Sequence, residues 1–354
     1  VGEKVKNRIT IVGLTTVIIL CLAPSSAAQS SSCKTSVLIG VGEPWIPGAT
    51  DCFNDKPFSQ SCTVYKDGCV PTHAAEETSS CPTCTTAGSP INLTNGNTYI
   101  IQTDFRLPGL GGGLGLTRTW NSKWPPTQAA INVGLFGKNW RSSYEERIFK
   151  GQDGYFKYSR SDGSFWSFGW AGYSNGTALF KVSAPAEESA SLVISSDNST
   201  WTLTFKDGTK KTFDYTSGWL KSIVDRNGNT TNLTYDTNNR LMQVTDPASR
   251  TLTFGYSNAS SLLITSVASN AGTFTYTYNG NLLTRVTNPD NTFITFEYDG
   301  QSLIAAVKDT EGKLLEGHTY DGLFRGLTST RALGVDGVTV TYPKNPIGII
   351  VTNP

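Results

Sequence analysis

Tyr235-Asp-Thr-Asn-Asn-Arg-Leu241, followed by Val244-Thr-Asp-Pro247, is the stretch on which the reading of the whole chain turns. The run before it, Leu233-Thr-Tyr235, alternates apolar and polar residues, as a strand with one buried face does. Asp236-Thr-Asn-Asn239 is rich in turn formers, and Asp246-Pro247 stops a ladder because proline has no N–H to give. Two short strands joined by a tight turn make a β-hairpin, and this one recurs. Tyr215, Tyr235, Tyr256, Tyr278, Tyr298, Tyr320 and Tyr342 are spaced by 20, 21, 22, 20, 22 and 22 residues. Most of them end an alternating run, as in Leu252-Thr-Phe-Gly-Tyr256, Phe274-Thr-Tyr-Thr-Tyr278, Ile294-Thr-Phe-Glu-Tyr298 and Val338-Thr-Val-Thr-Tyr342. A second apolar pair at spacing three follows the first six: Leu220/Ile223, Leu241/Val244, Ile264/Val267, Leu283/Val286, Ile304/Val307 and Phe324/Leu327. Each period reads as one hairpin.

A lone hairpin is marginal in water because it buries one thin apolar face. Stacking must complete the core, so the hairpins are expected to pair edge to edge into one twisted, spiralling sheet with its Leu/Phe/Tyr face covered and its Thr face solvated. A β-propeller is the competing geometry, although its blades take about 40 residues each. The expected fold is all-β: a Cys-rich irregular N-terminal segment, then a β domain leading into a spiral sheet of stacked hairpins that forms an open arc.

The hairpin motif resembles the YD repeat of Rhs proteins, with weaker copies at Tyr278-Asn-Gly-Asn-Leu282, Tyr298-Asp-Gly300 and Tyr320-Asp-Gly322. Gly88-Ser-Pro-Ile-Asn-Leu-Thr-Asn-Gly-Asn97, Thr103-Asp104, Leu107-Pro-Gly-Leu110, Leu116-Thr-Arg-Thr-Trp-Asn121 and Phe136-Gly-Lys-Asn-Trp140 resemble the domain that commonly opens the Rhs array. The repeat signature falls on Tyr215, Tyr235, Asp236, Arg240, Leu241, Tyr256, Tyr278, Tyr298, Asp299, Tyr320, Asp321 and Tyr342. The resemblance implies an exported, non-enzymatic scaffold, the N-terminal portion of a shell that in the family encloses or displays a C-terminal toxin or surface-interaction domain in bacterial competition. No such domain is recognisable here, and Tyr342 lies in what reads as a further repeat, so the array is read as truncated. The expected division is a signal peptide over 1–28, a Cys-rich secreted segment over 29–87, the Rhs N-terminal-like β domain over 88–200 and the hairpin array over 201–354.

Export rests on the first residues. Lys4, Lys6 and Arg8 precede an apolar stretch from Ile9 to Ala23 and a small-residue segment ending at Ala28, the build of a secretory signal with cleavage after Ala28. The apolar stretch is shorter than the roughly 20 residues that span a bilayer. No membrane span is therefore expected after cleavage. Beyond the signal the cysteines are Cys33, Cys52, Cys62, Cys69, Cys81 and Cys84. An even count in an oxidising compartment points to disulfides of undetermined pairing. A zinc site at Cys81-Pro-Thr-Cys84 with Cys62, Cys69 and His73 is the weaker alternative, because a partner CxxC is missing.

Composition narrows the function. The 354 residues include 29 Lys+Arg against 28 Asp+Glu, so no electrostatic footprint for nucleic acid is offered. Only two histidines occur, His73 and His318, and no nucleophile elbow or zinc-protease helix motif accompanies them. The glycines of Leu107 to Leu116 lack the following helix of a phosphate loop and read as a turn between strands. Asp225-x-Asn227-x-Asn229 imitates a calcium loop without its glycine and its bidentate glutamate. Glu145/Glu146 and Glu187/Glu188 are the carboxylate pairs a glycosidase reading would need. No catalytic, cofactor or metal set is expected. The alternative is a secreted carbohydrate-binding or adhesion module, with Trp120, Trp124, Trp140, Trp166, Trp170 and Trp201 as stacking candidates and a cell-surface glycan or envelope component as partner.

Overall fold

The computed structural model describes residues 86–88, 91–123, 133–151, 154–185, 188–334, 337–343 and 350–352. The signal segment, the six candidate disulfide cysteines, His73, Trp124 and Glu187 lie outside the described residues. Twenty strands, from Arg147–Lys150 to Ile350–Thr352, form one antiparallel sheet in which each strand pairs with the next in sequence. Propeller blades would interrupt such a ladder every four strands. Here it continues, and it crosses residue 200 unbroken, with Thr200–Phe205 between Ala190–Ile194 and Lys210–Asp214. Among the described residues no ladder joins the first strand to the last, so the sheet is open.

The five hairpins of Tyr235, Tyr256, Tyr278, Tyr298 and Tyr320 carry the same irregularity. Tyr235 pairs with Leu241 while Thr234 pairs with Gln243, which leaves Met242 as an extra residue. Thr265, Thr284, Ala305 and Leu327 are extra in the same way, each opposite the residue pair that ends in a tyrosine. This bulge accounts for the spacing of three. In a regular strand residues i and i+3 face opposite sides, whereas one extra residue between them returns both to the same side. Leu241 and Val244, Ile264 and Val267, Leu283 and Val286, and Ile304 and Val307 are all buried together. On the opposite face Thr253, Thr275 and Thr277 are exposed.

The sixth hairpin departs from the expected pairing. Phe324 lies in the turn at φ 63° and is largely exposed, and Leu327 is the bulge residue. The inward positions are instead Gly326 and Ser329. A Cβ on Gly326 would stand 2.3 Å from Thr98 Oγ1 and 2.9 Å from Ile91 Cδ1. The apolar side chain that other repeats place here is supplied from outside the repeat, by Ile91.

Ile91 belongs to a smaller unit packed on the apolar face. Tyr99–Leu107, Leu114–Asn121 and Trp140–Ser142 form a three-stranded sheet, flanked by the ribbons Thr86–Ala87 with Ile91–Asn92 and Val133–Gly134 with Gly137–Lys138. Edge-to-face rings join it to the repeats: Phe105 to Phe274, Phe136 to Tyr276, Trp140 to Phe296 and Trp120 to Tyr320. Two bonds from neighbouring residues then set the sheet's shape. Asn121 Nδ2 donates to the carbonyl of Asp162 (3.0 Å) and Ser122 Oγ donates to that of Phe324 (2.9 Å). Fifteen strands, from Phe165–Ser174 through Leu314–Tyr320, lie between those two turns. Laid flat they would separate the turns by about 70 Å at roughly 4.8 Å per strand. Adjacent residues with ordinary side-chain reach hold them within about 20 Å. The sheet therefore winds round the smaller unit while remaining open. Its first strand also returns to the ladder, because Arg147 bridges Trp219 and Ile148 N donates to the Gly218 carbonyl (2.9 Å).

Deleting Met242 should reverse the parity of this hairpin and turn Leu241 or Val244 outward. The expected cost in urea unfolding is about 2–5 kcal/mol, the scale of losing one such side chain from a core, whereas Met242→Ser should stay within about 1 kcal/mol. Equal effects of the two changes would contradict the role given to the bulge.

Candidate functional site

The repeat-signature residues lie along one rim of the sheet and act on backbone. Six tyrosines donate their hydroxyls to a carbonyl of the preceding hairpin: Tyr235 to Leu220 (2.7 Å), Tyr256 to Leu241 (2.9 Å), Tyr278 to Ile264 (2.6 Å), Tyr298 to Leu283 (2.8 Å), Tyr320 to Ile304 (2.7 Å) and Tyr342 to Gly326 (2.8 Å). The acceptor is the first residue of that hairpin's second strand in five cases and the second residue, Leu283, in the other. Every tyrosine thus packs its ring in one hairpin and ties it to the one before. Tyr215 stands outside this ladder, 40% exposed and stacked on Trp201 at 5.5 Å between ring centres.

The aspartate after the tyrosine builds the turn. Asp236 Oδ1 accepts from the backbone N–H of Asn238 and Arg240 (both 2.9 Å), and its Oδ2 accepts from Arg240 Nε (2.7 Å). Asn239 between them takes the left-handed conformation at φ 59°, which asparagine tolerates. Asp321 and Arg325 repeat the arrangement on the same rim, and Asp246 and Arg250 repeat it on the opposite rim. Asp299 makes the backbone half alone, through Gln301 and Leu303. In Asp236, Asp246 and Asp321, burial pushes the carboxyl up, and the N–H groups and guanidinium outweigh it, so all three titrate below the ordinary value. The calcium-like run is one more such turn, with Asp225 accepting from Asn227 N, Asn229 N and Asn229 Nδ2.

Beneath the winding sheet lies a buried ion pair whose two members sit in the quoted motifs but were not paired from sequence. Arg118 Nε and Nη2 each donate to an Asp104 oxygen at 2.6 Å, and Tyr276 Oη donates to Asp104 Oδ2 at 2.8 Å. The guanidinium lies 4.7 Å from the centre of the Trp140 ring and 5.5 Å from that of Tyr276. Burial works against its charge, and Asp104 outweighs burial, so the group stays charged with its pKa above the ordinary value. The signal in the sequence was parity: Leu116, Arg118 and Trp120 alternate onto one face, so an inward face places a cation among apolar side chains, where it needs an acid.

Of the two carboxylate pairs that a hydrolytic reading would need, Glu145 and Glu146 have other work. Glu145 accepts from the N–H of Leu135 (2.6 Å) and Ser142 (2.8 Å), and burial lifts its carboxyl above the ordinary value. Glu146 accepts from Tyr158 Oη (2.7 Å) and holds Lys211 Nζ at 2.7 Å. A groove of about 400 Å³ beside Phe274 contains Asp104, bound as above, and Asp290, which accepts from Thr292 N and Oγ1. Among the described residues no group of three or more His, Cys, Asp or Glu is placed to hold a metal. His318 occupies an inward strand position, buried, with Nε2 3.5 Å from Glu316 Oε2. Trp120, Trp140, Trp166 and Trp201 are buried core residues, while Trp170 and Tyr173 are 66% and 74% exposed on the strand Phe165–Ser174. The glycine-rich run is the connection between Tyr99–Leu107 and Leu114–Asn121.

The tyrosine ladder predicts an alkaline limit to stability. Burial pushes the Tyr298 and Tyr342 hydroxyls up to about 12 and those of Tyr235, Tyr256, Tyr278 and Tyr320 upward as well. The unfolded chain releases these protons near pH 10 while the folded chain keeps them, so stability is constant below about pH 10 and falls as pH rises from there toward 12. Unfolding midpoints between pH 8 and 11.5, with tyrosinate absorbance followed in parallel, should show this fall. Ionisation of all tyrosines near pH 10 with the fold intact would contradict it.

Residues 88–168 match the family described as domain of unknown function DUF6531, and residues 213–251, 235–273 and 276–314 match the RHS repeat. No curated protein matches the chain. Among solved structures, the TcdB2–TccC3 crystal structure is 14% identical with a TM-score of 0.30, covering 75% of this chain and 15% of that one. The Tc holotoxin pore of Photorhabdus luminescens is 16% identical with a TM-score of 0.29, covering 75% and 15%. The N-terminal domain of effector protein SpvB from Salmonella typhimurium strain LT2 is 11% identical with a TM-score of 0.29, covering 71% and 98%. This chain thus spans about one sixth of the TcdB2–TccC3 chains it matches. With a DUF6531 domain over 88–168 followed, from residue 213, by RHS repeats, the chain is a region of a protein of the Rhs/YD-repeat family.

Proposed function

We propose that this chain is a wall segment of an exported, non-enzymatic Rhs shell, which in the full-length protein encloses or displays a C-terminal toxin or surface-interaction domain. The observation that carries the reading is the winding: Asn121 and Ser122 bond to turns fifteen strands apart. A sheet wound this way and extended by further repeats has an inside. Its ionisable groups at the seat of the opening domain are bound to one another or to backbone, as Asp104, Glu145 and Glu146 are, which suits a wall rather than a reaction. Export is supported by the basic residues Lys4, Lys6 and Arg8 ahead of the apolar run.

The test uses the full-length parent protein. Its C-terminal domain should resist protease for as long as the wall is folded and be cut once the wall is denatured. A domain cut as fast within the intact parent as in isolation would overturn enclosure. Exposed Trp170 and Tyr173, with ring centres 6.1 Å apart, favour glycan binding as a second reading. It requires a glycan-array signal that Trp170→Ala abolishes without lowering the unfolding temperature.

A further inference from the structure

The Asp-x-x-x-Arg turn leaves part of its guanidinium unused by its own aspartate, and in Arg240 and Arg250 that part meets a different piece of backbone, while in Arg325 it faces a ring. Arg240 Nη1 donates to the carbonyls of Asn258 (2.9 Å) and Ser261 (3.0 Å), in the irregular loop before Ile264. Arg250 Nη1 donates to the carbonyl of Pro108 (2.9 Å), and its Nη2 lies 3.5 Å from that of Leu107. Arg325 lies under the Tyr342 ring at 4.0 Å, and a Cβ on Gly96 would stand 2.7 Å from Arg325 Cβ. Turns with another residue in that place, Asn229, Leu303 and Lys313, keep the backbone bonds of the turn. The arginine is therefore not required for the turn itself.

We propose that the arginine is a docking clamp for irregular backbone, and that Arg250 fastens the glycine strap Leu107–Leu114 of the opening domain to the rim of the wound sheet. The chemistry fits. A planar guanidinium held by Asp246 at one side presents fixed donors at the other, which suits carbonyl oxygens that no ladder satisfies. The strap is shaped for close approach: a Cβ on Gly109 would stand 2.3 Å from Arg250 Nη2, and one on Gly111 would stand 3.2 Å from Pro247. Gly111, Gly112 and Gly113 all have positive φ, so the strap has little order of its own to fall back on. Asp246 is the positioning residue; its side chain is fully buried and its Oδ2 lies 2.6 Å from Arg250 Nη2.

Backbone amide exchange on the intact chain tests this, with two variants that serve as each other's control. Arg250→Ala should speed exchange across residues 109–114 by about ten- to a hundredfold, the scale of a hydrogen bond to a charged group, and leave residues 257–263 unchanged. Arg240→Ala should do the reverse. Arg250→Lys should protect the strap only in part, because an ammonium cannot hold Asp246 and the carbonyls in one plane. A strap still protected in Arg250→Ala, or both segments loosened equally by either variant, would overturn the proposal.

Discussion

The ion pair of Arg118 with Asp104 is the interaction on which the assembly depends. The repeat sheet offers one continuous apolar face, and a single strip of three strands has to cover it. A purely apolar contact would hold the strip without fixing where it sits, since one Leu/Val layer of the repeat resembles the next. The buried pair removes that freedom. Asp104 also receives the hydroxyl of Tyr276, and the guanidinium lies against Trp140 and Phe296, so charge is satisfied at one hairpin only. Removing either member would leave a bare charge in a dry interior, which costs about 3–5 kcal/mol. A register slip of the opening domain would incur a similar penalty.

With that position set, the repeat supplies the winding. Five successive hairpins, from Tyr235 to Tyr320, carry the same bulge beside the tyrosine, and bulges sharpen the local twist of a sheet. From Tyr235 onward each of these tyrosine hydroxyls ties its hairpin to a carbonyl of the one before, so the same tie is repeated along the array. Small, identical increments turn an extended sheet into a coil, as in other repeat proteins where only neighbours touch. Where the opening domain reaches into the coil, the repeat gives way. Gly326 stands in the place of a leucine because Ile91 fills it, and Ser329 rather than valine lies beside Gly88.

The regular part of this design was legible in the sequence because it is local. The spacing of the tyrosines, the apolar alternation before them and the Asp-x-x-x-Arg turn are each written within a few residues, and the hairpins follow. The bulge was present as a spacing of three, though its meaning appears only when the partner strand is known. Phe324 and Leu327 were misassigned for the same reason: they satisfy the apolar spacing, while the register belongs to Gly326, whose inward place is filled by a residue more than two hundred positions away. The Arg118–Asp104 pair is likewise non-local. Parity marks Arg118 as inward, but the acid that receives it depends on how two strands of the opening domain meet the sheet.

The central claim is the winding of the sheet about the opening domain, and one distance tests it most directly. Spin labels attached through encoded non-cysteine side chains at Ser161 and Leu323 avoid the seven native cysteines and report the separation of two turns that are fifteen strands apart in the ladder. Dipolar spectroscopy should give a distribution centred below about 30 Å, label arms included. A centre near 70 Å, the span of fifteen strands laid side by side, would contradict the account.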